Sequence, residues 1–374
     1  MISGPLPLVA TLLALVCAAF WLEARFSWAR AISASLLIIA LGAAVSNLGL
    51  VAASSPVYDA IWGPVTSLAI VWLLLAVDLR DLKAAGPAML AAFGIAVVAT
   101  ATGALVAAGL WGSEFPGTAW KLAGVMTGTY SGGSLNFVGV GRAVDLPESL
   151  FAAATAADNI VTAVWMGATL VLPFWLRRYY PARDTARDRE SSASIADGSE
   201  RLVLLDLSVL LLLGFALLVA ASAVGAAIPA VPEVIWLTTL SLLVAQLPPV
   251  RRLRGAFTLG TFALNLFFAV IGIGSRVAEI AAVGWPILYL TVTVVAVHGL
   301  LLYGVGRLAR IDVETLSVAS QAAVGGPSTA MALAVGRGWS GLVLPGLAVG
   351  LLGYAVGNYA GLTIAWIVRQ WLGG

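Results

Sequence analysis

One carboxylate stands in the middle of a long apolar segment of this chain, and polar side chains accompany it. Asp158 lies in segment 149–176 directly before Asn159, and Thr155 and Thr162 fall three residues before and four residues after it. On a helix these spacings place both threonines on the face of Asp158. Carboxylate, amide and hydroxyl oxygens are the ligands that hard cations prefer. The stripe therefore predicts a binding site for Na⁺ or for a proton, formed by these four residues.

The cost of burying Asp158 favours a function for it. A charged side chain at the centre of a bilayer costs about 2.5–3.5 kcal/mol on insertion scales, and such residues usually face a cavity and serve an ion or proton pathway. The structural alternative is an ion pair with Arg142 or with another helix.

Two stretches rich in glycine and hydroxyl residues, 128–136 and 324–329, interrupt apolar segments at matching places in the two halves. In a bilayer every backbone N–H and C=O needs a partner, so such breaks persist mainly where they line a polar cavity. Paired breaks of this kind point to the substrate site of a secondary transporter. The N-terminus of each second half-helix suits an anion. Two kinked helices that use glycine for close packing are the alternative.

The polar and glycine residues at these breaks form the predicted substrate site. Its members are Thr129, Ser131, Gly132, Gly133, Ser134 and Asn136 in the first half, and Ser320, Gln321, Gly325, Gly326, Ser328, Thr329 and Asn358 in the second.

Composition places these groups in a membrane protein. The 374 residues are 61% hydrophobic and only 10% charged, with a mean hydropathy of +1.00. Soluble domains carry about 25% charged residues. The long uncharged runs predict helices and not barrel strands. The charges sit at segment ends, so the lipid bilayer is the expected partner and nucleic acid is not.

The apolar runs predict about 11–13 transmembrane helices. We place them at 5–22, 31–50, 58–77, 85–110, 120–144, 149–176, 202–229, 232–247, 255–274, 280–304, 315–336 and 341–368. The order of motifs repeats with an offset near 190–200 residues, since Gly132-Gly133 matches Gly325-Gly326 and Asp158-Asn159 matches Gly357-Asn358. We expect an all-α integral membrane protein of two inverted repeats, in which two broken helices cross at the membrane midplane.

Each repeat is expected to contain scaffold helices followed by core helices, and the scaffold helices are the candidate surface for a homodimer. The expected divisions are a first repeat at 1–176 (scaffold 1–83, core 84–176), a polar linker at 177–201 and a second repeat at 202–374 (scaffold 202–275, core 276–374).

The basic residues leave a contradiction in this count. Arginine and lysine cluster after the first, third, sixth, eighth and tenth segments, and the positive-inside rule assigns all of these clusters to the cytoplasm. Three crossings separate the second cluster from the third, and three crossings cannot return to the same side. One segment is therefore miscounted, and the short stretch 232–247 is the first suspect.

The remaining features narrow the class of protein. The lone histidine, His298, lies deep in segment 280–304, where it either relays protons or is simply hydrogen-bonded. Glycines at 346, 350, 353, 357 and 361 form a stripe suited to close packing against the second broken helix, with a dimer face as the alternative. Neither lysine follows a glycine-rich loop, so ATP is not expected to drive the protein. With one histidine and no GxSxG motif, we expect no enzyme, no cofactor and no metal beyond a transported Na⁺.

Several motifs resemble one family of bacterial membrane proteins. They are SNLGL (46–50), SPVYD (55–59), KLAG (121–124), GTYSGGS (128–134), ADN (157–159) and GGPST (325–329). They resemble the YjcL-like family, which is named for its unknown function. The resemblance implies a superfamily of cation–proton antiporters and bile-acid-type sodium symporters, with inverted repeats and two crossing broken helices. In those antiporters the corresponding helix carries the ion-binding acid, which here matches Asp158-Asn159 with the order of charge and amide changed.

Together these features predict a multi-pass protein of the bacterial inner membrane that moves a small polar or anionic organic solute. The coupling ion is H⁺ or Na⁺, and access alternates as the core moves, like an elevator, against the scaffold. A monovalent cation/proton antiporter is the alternative. A structural or enzymatic membrane protein is a third reading, and it predicts that Asp158→Asn leaves function intact.

Overall fold

Long apolar runs form the helices that the sequence predicts. A computed structural model describes residues 2–27, 29, 34–52, 54–183, 203–229, 231–274 and 277–372. The part of the expected linker from 184 to 201 and the scaffold–core boundary at 275–276 lie outside these ranges. Within them there is no β-strand, only an isolated bridge between Ile2 and Val51. The all-α class is confirmed.

The helices are numbered here in chain order. Those of the first half are α1 (Pro5–Arg25), α2 (Ala34–Asn47), α3 (Pro56–Leu75), α4 (Leu82–Trp111), α5 (Ala119–Thr129), α6 (Ser134–Ala143) and α7 (Glu148–Leu176). Those of the second half are α8 (Leu204–Ala227), α9 (Glu233–Ala245), α10 (Ala256–Gly274), α11 (Val277–Leu308), α12 (Val313–Val324), α13 (Pro327–Gly336) and α14 (Val343–Leu372).

The first predicted break is the tip of a helical hairpin. The Lys121 ammonium at the start of α5 donates to the Asp145 carbonyl, just beyond α6, at 2.7 Å. Twenty-four residues of continuous helix would hold these positions roughly 36 Å apart. The chain therefore turns back at the break, and α5 packs against α6 (hairpin 1).

The second break has the same form. Val318 on α12 and Ala330 on α13 both lie against Gly346 of α14, although a continuous helix would separate their Cα atoms by roughly 18 Å. Helices α12 and α13 thus form hairpin 2. The expectation that two broken helices run through the membrane and cross is corrected, because each returns to the side from which it came.

The hairpins also correct the number of crossings. Among the described residues, eight helices are long and apolar enough to cross a membrane, and α9 and the apolar part of α2 are shorter apolar helices. If those two also cross, ten elements cross and the hairpins do not. The short stretch 232–247 is not the miscounted one. The carbonyl of Val77, after α3, accepts from the Gln246 amide at the end of α9. At the start of α9, Glu233 interacts electrostatically with Arg142 at the end of hairpin 1. The two ends of α9 therefore lie at opposite faces.

Contacts between helix ends define two faces of the molecule. On the basic face, the Arg254 amide after α9 donates to Asp206 at the start of α8, and Arg177 after α7 pairs with Glu314 at the start of α12. The opposite face holds the open end of hairpin 1. Five helices, α7 to α11, run between the hairpins, so hairpin 2 opens on the basic face and hairpin 1 on the other.

Packing is most extensive within two groups of helices. Helix α10 packs on α2 and α3, and α3 also contacts α8 and α9. In the other group α4 packs on α11, α12 and α14, while α11 packs on α7. The assignment of these groups as scaffold and core, and movement between them, stay predictions.

Candidate functional site

The two hairpin tips meet each other inside the protein. Gly133 and Gly326 have φ angles of +81° and +83°, a backbone conformation that residues with a Cβ rarely adopt. A Cβ on Gly133 would lie 3.6 Å from the Cα of Gly326. Glycine is thus required at both tips, and it brings the starts of α6 and α13 to one point.

A cavity of about 200 Å³ lies at this point, between the tips, α7 and α10. Ten residues that the sequence predicted line it: Thr129, Gly133, Ser134, Thr155, Asp158, Asn159, Thr162, Gly325, Ser328 and Thr329. Residues 137, 268 and 324, which the sequence did not single out, add apolar walls. The structure therefore places the predicted ion-binding residues and part of both breaks around one cavity.

Asp158 is the charged residue among those that line the cavity. Its carboxylate accepts a hydrogen bond from the Thr162 hydroxyl at 3.1 Å and faces the hydroxyl of Tyr130. The expected alternative, an ion pair with Arg142, does not form within the described chain, since Arg142 instead donates to the Ser67 hydroxyl at 2.9 Å. Among the described residues, no cationic side chain pairs with the Asp158 carboxylate.

Buried polar atoms without a hydrogen-bond partner concentrate around the hairpins. Among the described residues these atoms include the hydroxyl oxygens of Thr129 and Ser131 and the amide oxygens of Asn136, Gln321 and Asn358. A buried polar group that lacks a partner costs about 1–3 kcal/mol. Thr129 is 1% exposed and lines the cavity. Its unpaired oxygen is the feature that a bound ligand would satisfy.

The other predicted site residues do not line this cavity, and several of them instead join neighbouring helices. Asn136 donates to the Gly353 carbonyl at 3.0 Å, Asn358 to Thr238 at 3.0 Å and Gln321 to Thr169 at 2.9 Å. Ser320 accepts from the Trp165 indole at 2.8 Å. Ser131, Gly132 and Gly326 also lie outside the lining.

The glycine stripe of α14 packs against both hairpins. Gly346 and Gly350 contact hairpin 2, whereas Gly353, Gly357 and Gly361 contact hairpin 1. The sequence predicted only the contact with the second hairpin. One helix surface therefore sets the position of both tips.

We expect Gly132→Ala to destabilise the protein by about 1–3 kcal/mol, the usual cost of overpacking. A Cβ at Gly132 would collide with the carbonyl of Gly353. The melting temperature in detergent measures this. Gly167→Ala is the matched control, because no atom lies within 4 Å of a Cβ at Gly167. Equal melting temperatures of the two variants would contradict the close contact between Gly132 and Gly353.

Two further cavities continue from the site toward the basic face. One of about 180 Å³ shares Gly133, Ser134, Gly325, Ser328 and Phe268 with the first and is also lined by Thr261 and Asn265 of α10. Another of about 120 Å³ shares Phe257 with the second and reaches Asp78 and Arg251. The sequence missed the polar residues of α10, although Asn265 within an apolar segment was a visible signal.

The fold and the site define a multi-pass α-helical membrane protein with two hairpins that face each other around a buried carboxylate. Residues 10–371 match the model of a family described as "Protein of unknown function (DUF819)". The chain is also 31% identical over 361 residues to the "Uncharacterized membrane protein YjcL" of Bacillus subtilis (strain 168), covering 91% of each protein. The chain belongs to the DUF819 family, which confirms the family resemblance and a multi-pass bacterial membrane protein.

Proposed function

We propose that this protein is a secondary active transporter for a small polar or anionic organic solute, coupled to H⁺ or Na⁺. The observation that carries the proposal is the cavity between the hairpin tips, which the Asp158 carboxylate and the Thr129 hydroxyl both line. Among the described residues the carboxylate has no cationic partner and the Thr129 hydroxyl has no hydrogen-bond partner. A structural protein would have little reason to maintain such costly groups in its interior.

The coupling ion is assigned to the α7 side of the cavity. Asp158 supplies the negative charge, and Thr129 and Thr162 supply neighbouring hydroxyl oxygens. Sodium suits such an oxygen set, and a proton on the carboxylate would also discharge it. Either ion removes the cost of an isolated buried charge, so its binding and the closure of the site favour each other.

The solute is assigned to the space beside the hairpin tips. The first turns of α6 and α13 carry backbone N–H groups without helical partners, and Ser134 and Ser328 at these turns line both cavities. Converging helix N-termini favour a negative group such as a carboxylate. Thr261 and Asn265 of α10 add polar contacts from the other helix group.

The arrangement suits alternating access between two inverted repeats. Hairpins that open on opposite faces are what an inverted pair would produce, and the site lies where the two helix groups meet. The three successive cavities lead toward the basic face, so elevator-like movement of the core helices against α10 would expose the site to the other face. The superfamily resemblance supports the same mechanism.

A monovalent cation/proton antiporter is the second candidate, favoured by the single carboxylate and its hydroxyl neighbours. Purified protein in liposomes that contain a pH-sensitive dye separates the two. The antiporter predicts a pH response to Na⁺ or Li⁺ alone, with K⁺ as the control cation. The solute carrier predicts a response only when the transported solute is also present, and a full response to Na⁺ alone would overturn it.

A further inference from the structure

His298 is the single histidine of the chain, and the proposed transport site does not use it. It is fully buried on α11. Its Nδ1 lies 2.9 Å from the Thr100 hydroxyl, and its Nε2 lies 2.8 Å from the Ser320 hydroxyl. Both ring nitrogens therefore have partners, on α4 and on hairpin 2.

The neighbouring bonds determine where the imidazole proton lies. The Thr100 hydroxyl donates its one proton to the Tyr130 carbonyl at 2.8 Å, so it must accept from Nδ1–H of His298. A neutral ring then accepts at Nε2 from the Ser320 hydroxyl. Ser320 in turn accepts from the indole N–H of Trp165 at 2.8 Å.

These bonds form one chain that joins five elements, α7, hairpin 2, α11, α4 and hairpin 1. We call it the histidine chain, and its members are Trp165, Ser320, His298, Thr100 and Tyr130. It begins on α7 and ends at the tip of hairpin 1, where the Tyr130 hydroxyl faces Asp158. Asp158 and Trp165 are seven residues apart on α7, which is about two turns of one helical face. The chain thus starts two turns from Asp158 on α7 and finishes at the residue whose hydroxyl faces that carboxylate.

We propose that His298 is a positioning residue that holds both hairpins against α7 as a neutral imidazole protonated on Nδ1. It joins hairpin 2 through Ser320 and hairpin 1 through Thr100 and the Tyr130 carbonyl. The chain ends at the Trp165 indole N–H and at the Tyr130 backbone carbonyl, and neither group releases or takes up a proton at working pH, so the chain is not a proton pathway. The inference rests on the proposed function only in taking the cavity between the two hairpins as a transport site.

The tautomer can be observed directly, because ¹⁵N-histidine labelling marks one residue in the whole protein. In lipid nanodiscs, the ring signals are expected to show the proton on Nδ1. The Thr100→Val variant, which removes the acceptor, should shift the Nδ1 signal more than the Nε2 signal. A proton on Nε2 would overturn the assignment.

The positioning role is tested by backbone hydrogen exchange. His298→Phe keeps a ring but removes both bonds, and we expect exchange in 128–136 and 321–329 to become about tenfold faster. Tyr303→Phe is the matched control, because it removes a buried bond of 2.8 Å to Ser317 between the same two helices, α11 and α12. That variant should leave the tip of hairpin 1 unchanged.

A milder substitution covers the case in which the His298→Phe variant does not fold. Trp165→Phe removes only the first bond of the histidine chain, from Trp165 to Ser320, so exchange should rise in 321–329 and stay constant in 128–136. Unchanged exchange at both tips in a folded His298→Phe protein would overturn the positioning role. None of these measurements requires transport, so their failure is distinct from a failure of the proposed function.

Discussion

Asp158→Asn is expected to abolish ion-coupled accumulation of solute. For one net charge per solute, a membrane potential of 100 mV supplies about 2.3 kcal/mol, which corresponds to roughly a 50-fold accumulation. Without the carboxylate the ion has no charged ligand in the cavity, so the accumulation ratio should fall to one. Uptake into proteoliposomes with an imposed potential measures this ratio once a transported solute is identified.

The same substitution at Asp145 provides the control. Asp145 is exposed beyond hairpin 1 and has a φ of +50°, which asparagine tolerates. Asp145→Asn should therefore accumulate solute like the natural protein. Coupled accumulation by a folded Asp158→Asn variant would show that the ion site is elsewhere.

A reporter fused to the C-terminus is expected on the outer face of the membrane, and one fused in the linker at residue 189 on the inner face. Five crossings, α8 to α11 and α14, separate these positions, and five is an odd number. Arginine clusters follow α3, α7, α9 and α11, all on the basic face, which the positive-inside rule places in the cytoplasm.

Paired fusions measure this sidedness. Alkaline phosphatase should be active at the C-terminus and inactive in the linker, and a fluorescent protein should give the opposite pattern. If both positions lie on one side, hairpin 2 crosses the membrane and its description as a hairpin is wrong.

The hairpins show what a local pattern can predict. Gly133 and Gly326 could be found because a glycine break in an apolar run has a cost in lipid. Whether the chain continues or turns back after the break depends on contacts such as Lys121 to Asp145 and Val318 to Ala330. Half-helices of about ten apolar residues look the same in both cases. The contradiction in the positive-inside count was the remaining signal, and the hairpins resolve it without removing 232–247.

The site was predicted in part for a similar reason. Asp158, Thr155 and Thr162 lie within two turns of one helix, so periodicity alone places them together. Asn265 and Phe268 reach the cavities from a helix more than one hundred residues away in sequence. Their contribution depends on how the two helix groups pack, which local spacing does not encode.

We propose that solute and ion bind together between the hairpin tips through Asp158. A thermal-shift screen of detergent-purified protein tests it most directly, because a ligand that binds the native state raises its stability by about 2.7 kcal/mol at one hundred times its Kd. The screen would compare the natural protein with Asp158→Asn, using metabolite anions, amino acids and small peptides in Na⁺, in K⁺ and at two pH values. We predict a solute whose stabilisation requires Na⁺ or acid pH in the natural protein and loses that requirement in Asp158→Asn. An identical ion dependence in both proteins would contradict the account.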